Sequence, residues 1–259
     1  MNEDAEKLCG GNTSTVYRVG NTVKRSMRPT SSMVHKVLEH LEAQGFAGAP
    51  RFIEIDSDGY ECLSYIEGTC EISATIWQSP TIYTSAANLL RNLHNALASF
   101  PIDPDDSWGY TYPDQSRHEI ICHNDFGLYN LVTDKDHCVG VIDFDLCGPA
   151  PRLRDVAYAA YWLVPLSLNA EDMKPYTLAD ADAGSPRLKS FCTAYGIPLD
   201  KELLDMVSEI LHFIGNGQTM LELFGETVAT HLKDDGHLDH WSAEAAAFDQ
   251  QRHLLEINL

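Results

Sequence analysis

The chain has few basic side chains. Its 259 residues include 18 Lys and Arg against 38 Asp and Glu, which gives a formal net charge of −20. Affinity for nucleic acids depends on Lys and Arg side chains that neutralise phosphates. We therefore expect no nucleic-acid partner. The same acidic charge is compatible with a cationic small-molecule partner, although it also serves solubility.

Long hydrophobic runs are missing as well. The longest candidate, residues 156–166, is shorter than the roughly 20 apolar residues that span a bilayer. The N-terminal residues are polar and acidic, unlike a secretory signal. The seven cysteines include no C-x-x-C pair of the kind found in zinc and redox sites. These features predict a reduced, cytoplasmic protein that does not cross a membrane.

What remains is an ordinary globular composition, with 44% hydrophobic and 22% charged residues. The charge is uneven along the chain. The first 70 residues carry 7 basic and 10 acidic side chains, a net of −3, whereas the rest carries 11 and 28, a net of −17. We predict two lobes with a boundary near residue 68, the first over residues 1–68 and the second over residues 69–259.

The two predicted lobes differ in secondary structure. In the first, β-branched segments at 15–19 and 22–25 flank a Gly-Asn dipeptide that favours a hairpin. One helix and further strands complete a small sheet of five strands. The second lobe is mainly helical, with short β-like runs at 131–133 and 138–144. Helical periodicity predicts its helices at 84–99, 155–166, 186–195, 200–215, 217–232 and 241–254. The fold class predicted is α+β.

The strongest chemical signal is HNDFGLYN at residues 123–130, followed by VIDFD at residues 141–145. An acidic residue at the end of a hydrophobic β-run is costly unless it is paired, and a hard divalent cation would pair with it. Phosphoryl transfer from a nucleotide requires a carboxylate that accepts the hydroxyl proton, and oxygen ligands for magnesium. We predict Asp125 as the base, with Asn130 and Asp143 as ligands of Mg²⁺ on ATP or GTP.

Two neighbours of this constellation have different expected roles. His123 is expected to be structural, holding the loop through hydrogen bonds rather than acting as a base. Asp145 either assists the metal or is solvated, and the sequence leaves both open.

These residues resemble the aminoglycoside phosphotransferase family, which has a protein-kinase-like fold. The family's H-x-D-x-x-x-x-N loop and I-D-[FW]-[DG] segment are matched at 123–130 and 142–145, and its L-x-x-L-H helix at 90–94. RDVAY at 154–158 resembles the D-L-A motif, which implies that Asp155 anchors the catalytic loop. The resemblance implies transfer of a phosphoryl group to a small-molecule hydroxyl by a two-lobed fold. Residues 1–68 would form the nucleotide-binding lobe with its hinge, and residues 69–259 the catalytic and acceptor-binding lobe. The HND form also resembles choline kinases, so the acceptor stays open.

The nucleotide side of the predicted site is less distinct. Gly11, Thr13 and Ser14 belong to a short glycine-containing segment that suits a phosphate-covering loop, although a plain β-turn is an equal alternative. The resemblance implies that Tyr65 and Ile66 form the hinge, whose backbone meets the purine.

The resemblance also implies that Lys24 contacts the nucleotide phosphates. The family pairs this lysine with a helix Glu, but Val34 or His35 occupies that register here. Either Glu39 substitutes through a shifted helix, or the pair is missing. This departure motivates an alternative to the kinase prediction, namely a nucleotide-binding pseudoenzyme.

In the family the acceptor lies between the catalytic loop and the C-terminal helices, the region that carries most of the negative charge here. The electrostatic field of this negative charge favours a cationic acceptor, and the faces of aromatic rings would also bind a cation. Candidate lining residues are Trp162, Glu222, Glu226, Asp234, Asp235 and Trp241. We predict a small-molecule hydroxyl kinase, with a choline- or homoserine-type metabolite kinase as the nearest alternative. The sequence gives no indication of oligomeric state.

Overall fold

The computed structural model describes residues 6–8, 16–70, 79–164, 166–169 and 184–256. Gly11, Thr13 and Ser14 lie outside these residues. The N-terminal part is an antiparallel sheet of five strands in the order β1-β2-β3-β5-β4. The strands are β1 (Glu6–Leu8), β2 (Val16–Val19), β3 (Thr22–Ser26), β4 (Phe52–Ile55) and β5 (Tyr60–Ser64). The small β-rich lobe that the sequence predicts is confirmed.

The turns of this sheet follow from its sequence. Val19 pairs with Thr22, so the β2–β3 hairpin has the predicted two-residue turn. Gly20 takes a φ of 60° there, a value that suits glycine at the first position of a tight hairpin turn. Helix α1 (Ser31–Ala43) follows the hairpin and buries its apolar face, as the periodicity predicts.

The second part of the chain is mainly helical. Its helices are α2 (Pro80–Leu97), α3 (Arg152–Leu163), α4 (Gly184–Tyr195), α5 (Lys201–Ile214), α6 (Gly217–Asp234), α7 (His237–Gln251) and α8 (His253–Glu256). Two short antiparallel ladders carry the loops of interest. They are β6 (Ile120–Cys122) with β9 (Gly148–Ala150), and β7 (Leu131–Asp134) with β8 (His137–Val141). The combination of a small sheet with a helical lobe confirms the α+β class.

The largest hydrophobic core runs from α1 through α2 and α3 to α7, so it joins the two lobes. The backbone links them too, because Val141 N donates to Gly48 O over 2.8 Å. Between the lobes, Gly68 has a φ of 147°, and a Cβ there would lie 2.6 Å from Val132. Glycine is therefore required where the connecting segment passes β7. The boundary at residue 68 stays a prediction.

Several helix limits differ from the prediction. Helix α2 begins four residues earlier than the periodicity indicates, with Pro80 in its first turn, where proline is tolerated. Gly225 has a φ of 77° within α6, which breaks a helix that the apolar pattern predicts as continuous. Helix α7 begins at His237, just after Gly236 in the left-handed region. Strand β9 was not predicted, because three residues with Gly and Pro carry no strand pattern.

Two further expectations concern membrane-spanning helices and the state of the cysteines. Among the described residues, no helix combines the length and the apolar character needed to cross a bilayer. Six of the seven cysteines lie in the described part of the chain, and all six are free thiols. The reduced, cytoplasmic setting stays a prediction.

Candidate active site

The loop that carries Asp125 leaves strand β6 through a left-handed residue. Asn124 has a φ of 64°, which asparagine tolerates better than most residues with a Cβ. Its side-chain Nδ2 donates to Leu146 O and Gly148 O, each over 3.1 Å. The second position of the motif therefore has a backbone requirement that glycine or asparagine meets.

Asp155 of α3 holds this turn from behind. Its carboxylate is fully buried and accepts hydrogen bonds from the backbone N of His123 and of Asn124, each over 2.7 Å. His94 Nε2 lies 3.1 Å from the same carboxylate. Burial alone would raise the pKa of Asp155, but the His94 hydrogen bond and nearby positive charge outweigh it, so the pKa is lowered. The contacts confirm the anchoring role that the resemblance implies.

His123 is also structural. Its Nδ1 accepts from Asp125 N over 3.3 Å, so the proton of the neutral ring lies on Nε2, which donates to Ile142 O over 3.1 Å. Ile142 N in turn donates to Asn130 O over 2.9 Å. Ile142 is thus bonded to both ends of the loop that carries Asp125. The next residue, Asp143, therefore follows directly after a residue that is bonded to this loop.

Asp125 and Asn130 are in direct contact. Asn130 Nδ2 donates to Asp125 Oδ2 and to the Asp125 carbonyl, each over 2.9 Å. With its nitrogen engaged in this way, Asn130 directs its side-chain oxygen away from Asp125. Tyr129 Oη donates to Asp125 Oδ1 over 2.5 Å. Burial raises the pKa of Asp125, and the hydrogen bond from Tyr129 opposes that rise.

Asp143 and Asp145 face two arginines. Asp143, with a φ of 64°, lies 3.3 Å from an Nη of Arg25, and Asp145 lies 2.7 Å from the other. Arg28 Nε lies 2.8 Å from the second oxygen of Asp145. Asp145 is therefore paired rather than solvated. Burial, followed by repulsion from Asp143, nevertheless raises the pKa of Asp145.

Lys24 and its neighbour Arg25 have different partners. Lys24 Nζ pairs with Asp56 over 2.8 Å in the β4–β5 turn, and Arg25 is the residue of β3 that reaches Asp143. Successive side chains of a strand point to opposite faces, so only one of the two can face the large lobe. The side chain of Arg25 is 8% exposed and that of Lys24 is 36% exposed. Contact of Lys24 with the nucleotide phosphates stays a prediction, and its pairing with Asp56 directs it away from Asp143.

The missing helix Glu is also accounted for. Glu61 of β5 is fully buried, with Arg25 Nε 2.8 Å from Oε1 and His35 Nε2 2.5 Å from Oε2. Arg25 and Glu61 are directly opposite each other in the β3–β5 ladder. Glu39 is exposed on α1 and does not substitute. An opposite-charge pair at facing positions of two predicted strands is the sequence signal that could have found this pair.

The predicted hinge lies between the lobes. Tyr65 N donates to Asn21 O over 2.8 Å, and the Arg18 guanidinium lies 3.6 Å from the centre of the Tyr65 ring. Ile66 packs against Gly140 of β8, where an added Cβ would lie 2.9 Å from its side chain. Contact of these two residues with a purine stays a prediction.

Aromatic side chains lie next to Asp125. Tyr129 Oη lies 2.6 Å from Tyr158 Oη, and the Tyr129 ring meets Trp162 edge-on at 5.3 Å between centroids. Trp162 in turn contacts Trp241 at 5.9 Å. The predicted lining residues Trp162 and Trp241 are thus brought together. The sequence reasoning missed Tyr129 and Tyr158, although Tyr129 lies within the motif itself.

The acidic lining candidates share an exposed position on one helix. They are exposed, on α6 or at its C-terminal end: Glu222, Glu226, Asp234 and Asp235. Glu222 accepts a hydrogen bond from Gln218 on the same helix over 2.7 Å. Their predicted contact with an acceptor therefore has no support from this geometry.

Comparison with known proteins also finds similarity to phosphotransferases. The model of the phosphotransferase enzyme family matches residues 107–189, which include the catalytic loop and the Asp143 segment. The trifolitoxin immunity protein of Rhizobium leguminosarum bv. trifolii is 37% identical over 161 residues. That match covers 60% of this chain and 60% of the immunity protein, so it spans less than two thirds of the relative.

Solved structures match over most of the chain. The gentamicin complex of the aminoglycoside phosphotransferase APH(2")-IIa has a TM-score of 0.57 at 14% identity, with 94% of this chain and 91% of that chain covered. The chain has the fold of the aminoglycoside phosphotransferases. The same fold is found in a choline/ethanolamine kinase family protein from Mesorhizobium loti, with a TM-score of 0.54, 16% identity, and coverage of 94% and 91%. The expected resemblance to this phosphotransferase family is confirmed.

Proposed function

We propose that the chain is a small-molecule O-phosphotransferase that transfers the γ-phosphoryl group of ATP or GTP to a substrate hydroxyl. One observation carries this proposal. The carboxylate of Asp125 is bonded to the amide of Asn130, and the backbone of Ile142 holds Asp143 beside the same loop. A proton acceptor and two further oxygen-bearing side chains on adjoining segments are the set that phosphoryl transfer uses.

Asp125 would accept the proton of the acceptor hydroxyl as the hydroxyl oxygen bonds to the γ-phosphorus and the nucleoside diphosphate leaves. Its raised pKa, caused by burial, brings its proton affinity nearer to what a general base requires. The hydrogen bonds from Asn130 and Tyr129 fix the direction of its oxygens. Because the chain forms no covalent bond to the phosphoryl group, positioning and charge supply the rate acceleration.

The donor set fits a hard divalent cation. Asp143 and Asp145 are neighbouring carboxylates, and burial, followed by repulsion from Asp143, raises the pKa of Asp145 even beside two arginines. The side-chain oxygen of Asn130 is directed away from Asp125, as a metal ligand on this loop would need. Oxygen donors of this kind suit Mg²⁺, which would neutralise charge on the nucleotide phosphates. Asn130 and Asp143 are the proposed metal ligands.

On the nucleotide side, we assign the phosphate-facing cation to Arg25 in place of Lys24. The Arg25 guanidinium already contacts Asp143, and Glu61 fixes it from the buried side. Gly11, Thr13 and Ser14 stay proposed as the covering loop, with the Tyr65–Ile66 backbone as the purine-binding hinge. The Arg25–Glu61 pair would take the place of the missing helix Glu, which supports the kinase over the pseudoenzyme alternative. ATP and reduced thiols both suit the cytoplasm as the proposed location.

The acceptor class follows from charge and aromatic surface. A net charge of −20 and the aromatic faces of Tyr129 and Trp162 beside Asp125 support an acceptor that bears an amine or quaternary ammonium group. Solved relatives of the fold include aminoglycoside kinases and a choline/ethanolamine kinase family protein, which agrees with this class.

A second candidate rests on the trifolitoxin immunity protein, which is 37% identical over 161 residues. Its name records immunity to a toxin. The same transfer chemistry would give immunity if the acceptor hydroxyl belonged to a toxin, so this candidate differs from the first in the size of the acceptor.

A substrate panel tests both candidates. The purified chain is incubated with Mg²⁺ and either ATP or GTP, together with aminoglycosides, amino alcohols or a hydroxyl-bearing peptide toxin. Release of nucleoside diphosphate and a phosphate-sized mass gain on one acceptor are expected, and Asp125→Asn serves as the matched control. If nucleotide neither binds nor turns over with any acceptor, the proposal is wrong.

A further inference from the structure

The catalytic base already holds a hydroxyl that belongs to the chain. Tyr129 Oη donates to Asp125 Oδ1 over 2.5 Å, while Oδ2 accepts from Asn130. A general base must lie within hydrogen-bond reach of the proton that it removes, and an acceptor alcohol would make this contact with Asp125. The phenol of Tyr129 therefore makes the hydrogen bond that an acceptor hydroxyl would make.

The two tyrosines at the base differ in burial. Tyr129 is 36% exposed, whereas Tyr158 is buried on α3. The hydroxyl of Tyr158 lies 2.6 Å from that of Tyr129, so it holds the phenol in place from the buried side. The Tyr129 side chain is partly exposed, and its hydroxyl is held by hydrogen bonds to Asp125 and Tyr158. It can therefore move away from Asp125 without disrupting the core.

The position of the Tyr129 ring depends on its neighbour Gly127. A Cβ at Gly127 would lie 2.7 Å from two ring atoms of Tyr129 and 2.9 Å from its hydroxyl. The φ of Gly127 is −88°, a value that any residue adopts. Glycine is therefore needed here for space rather than for backbone freedom, and the space is occupied by the ring that reaches Asp125.

We propose that Tyr129 guards the catalytic base: its hydroxyl occupies the acceptor position on Asp125 until an acceptor displaces it, and so prevents water from being activated there. The inference rests on the proposed phosphotransferase function. In the reaction that the guard suppresses, a water oxygen bonds to the γ-phosphorus, the bond from phosphorus to the nucleoside diphosphate breaks, and the water proton passes to Asp125.

Tyr129 would also distinguish acceptors from water, because the two differ in the binding energy that they gain when they displace the phenol. Water gains little from neighbouring surfaces, whereas an acceptor with an apolar or cationic body would contact the ring of Trp162 as it displaces the phenol. Only a molecule with such contacts offsets the loss of the Tyr129–Asp125 hydrogen bond. Nucleotide would then be conserved in the absence of an acceptor.

Removal of the phenol hydroxyl tests the guard directly. Tyr129→Phe should raise acceptor-independent hydrolysis of Mg²⁺–ATP about 10-fold. Water would no longer compete with the Tyr129 hydroxyl for Asp125, and one hydrogen bond to a charged group accounts for a change of this size. Gly127→Ala keeps the hydroxyl but displaces the ring, so it should raise hydrolysis as well. Tyr158→Phe should give a smaller rise, because Tyr129 keeps its bond to Asp125.

Three controls accompany these variants. Tyr60→Phe removes a phenol hydroxyl from the far strand β5 and should leave hydrolysis unchanged. Affinity for a non-hydrolysable ATP analogue and the thermal midpoint, both measured without turnover, should be the same for Tyr129→Phe as for the parent chain. Adding Asp125→Asn to Tyr129→Phe should abolish the rise, which shows that the base activates the water.

The outcomes separate the guard from the kinase function. Unchanged or slower hydrolysis in Tyr129→Phe, with intact analogue binding, overturns the guard while transfer to an acceptor still supports the kinase. Phosphate found on Tyr129 by tandem mass spectrometry also overturns it, because the phenol would then be an acceptor. Absence of hydrolysis and of transfer in every variant overturns both.

Discussion

Two carboxylate sites lie on adjoining segments of the large lobe, and they differ in their partners. Asp125 is held by neutral donors, the amide of Asn130 and the phenol of Tyr129. Asp143 and Asp145 are held by the guanidinium groups of Arg25 and Arg28 from the small lobe. One site is thus built within a single loop, and the other is completed across the two lobes.

The difference in partners matches a difference in task. A base must accept a proton, and neutral donors orient a carboxylate while reducing its proton affinity less than a cation would. A pair of carboxylates that binds a cation must stay ionised in spite of mutual repulsion, and positive neighbours offset that repulsion. The arginines therefore supply at the second site the positive charge that a divalent cation would also supply.

The largest expected effect is on the neutral site. Asp125→Asn keeps the shape of the side chain and removes its ability to accept the hydroxyl proton. Turnover with an acceptor should fall about 10²–10⁴-fold, the usual contribution of a positioned base, while nucleotide affinity changes little. Steady-state release of nucleoside diphosphate and titration with a fluorescent ATP analogue measure the two quantities. Turnover within threefold of the parent chain would remove Asp125 from its proposed role.

The second prediction contrasts the two neighbouring cations of β3. Arg25→Met leaves the fully buried Glu61 without its guanidinium partner, and loss of one partner of a buried pair costs about 3–5 kcal/mol. It should also weaken nucleotide binding, because Asp143 loses a positive neighbour. Lys24→Met, a matched change on the opposite face, should leave the free energy of unfolding and the nucleotide affinity nearly unchanged.

Urea unfolding and titration with nucleotide, with and without Mg²⁺, compare these two variants. Both chains lose one positive charge from the same strand, so a general charge effect would appear in each. If Lys24→Met proved the more damaging of the two, phosphate contact would belong to Lys24 and the assignment to Arg25 would be wrong.

The comparison also shows what a sequence can predict for this fold. The small sheet, the helical lobe and the residues Asp125, Asn130 and Asp143 follow from local patterns, because each depends on spacing along one stretch of chain. The choice of Arg25 over Lys24 depends on which face of β3 meets the large lobe, and a strand pattern with two adjacent basic residues does not fix that face.

Most of the contacts that the sequence did not predict join residues that are far apart along the chain. Glu61 is 36 positions after Arg25 along the chain, and its pairing arises only when β5 lies beside β3. Tyr158 reaches Tyr129 because Asp155, three residues earlier on α3, is bonded to the catalytic loop. The break at Gly225 within α6 was missed for another reason, since an apolar period can continue across a residue that leaves the helix.

A third carboxylate, that of Asp155, extends the comparison, because we propose neither proton acceptance nor metal binding for it. Asp155 is fully buried behind the loop, and its pKa is lowered by the His94 hydrogen bond in spite of burial. Asp155→Asn should cost about 2–3 kcal/mol at pH 7, the value of hydrogen bonds to a charged group. Glu39→Gln on exposed α1 is the control and should cost nothing measurable.

The cost of Asp155→Asn should depend on pH. A carboxyl whose folded pKa lies below its unfolded value stabilises the fold fully above the unfolded pKa, near 4. That contribution is lost as the pH falls through the folded pKa. The difference in thermal midpoint between the two chains should therefore be constant from pH 7 to 5 and narrow below about pH 4. A difference that widened in acid would contradict the lowered pKa.

The smallest expected effect concerns a backbone feature that the two sites share. Asn124 precedes Asp125 and has a φ of 64°, the same value as Asp143 itself. Asn124→Ala and Asn124→Gly both lose the side-chain bonds to Leu146 O and Gly148 O, but only alanine is strained in the left-handed region. Alanine should therefore be about 1 kcal/mol less stable than glycine by urea unfolding. Equal stabilities would mean that asparagine serves this position by hydrogen bonding alone, and the parallel with Asp143 would not hold.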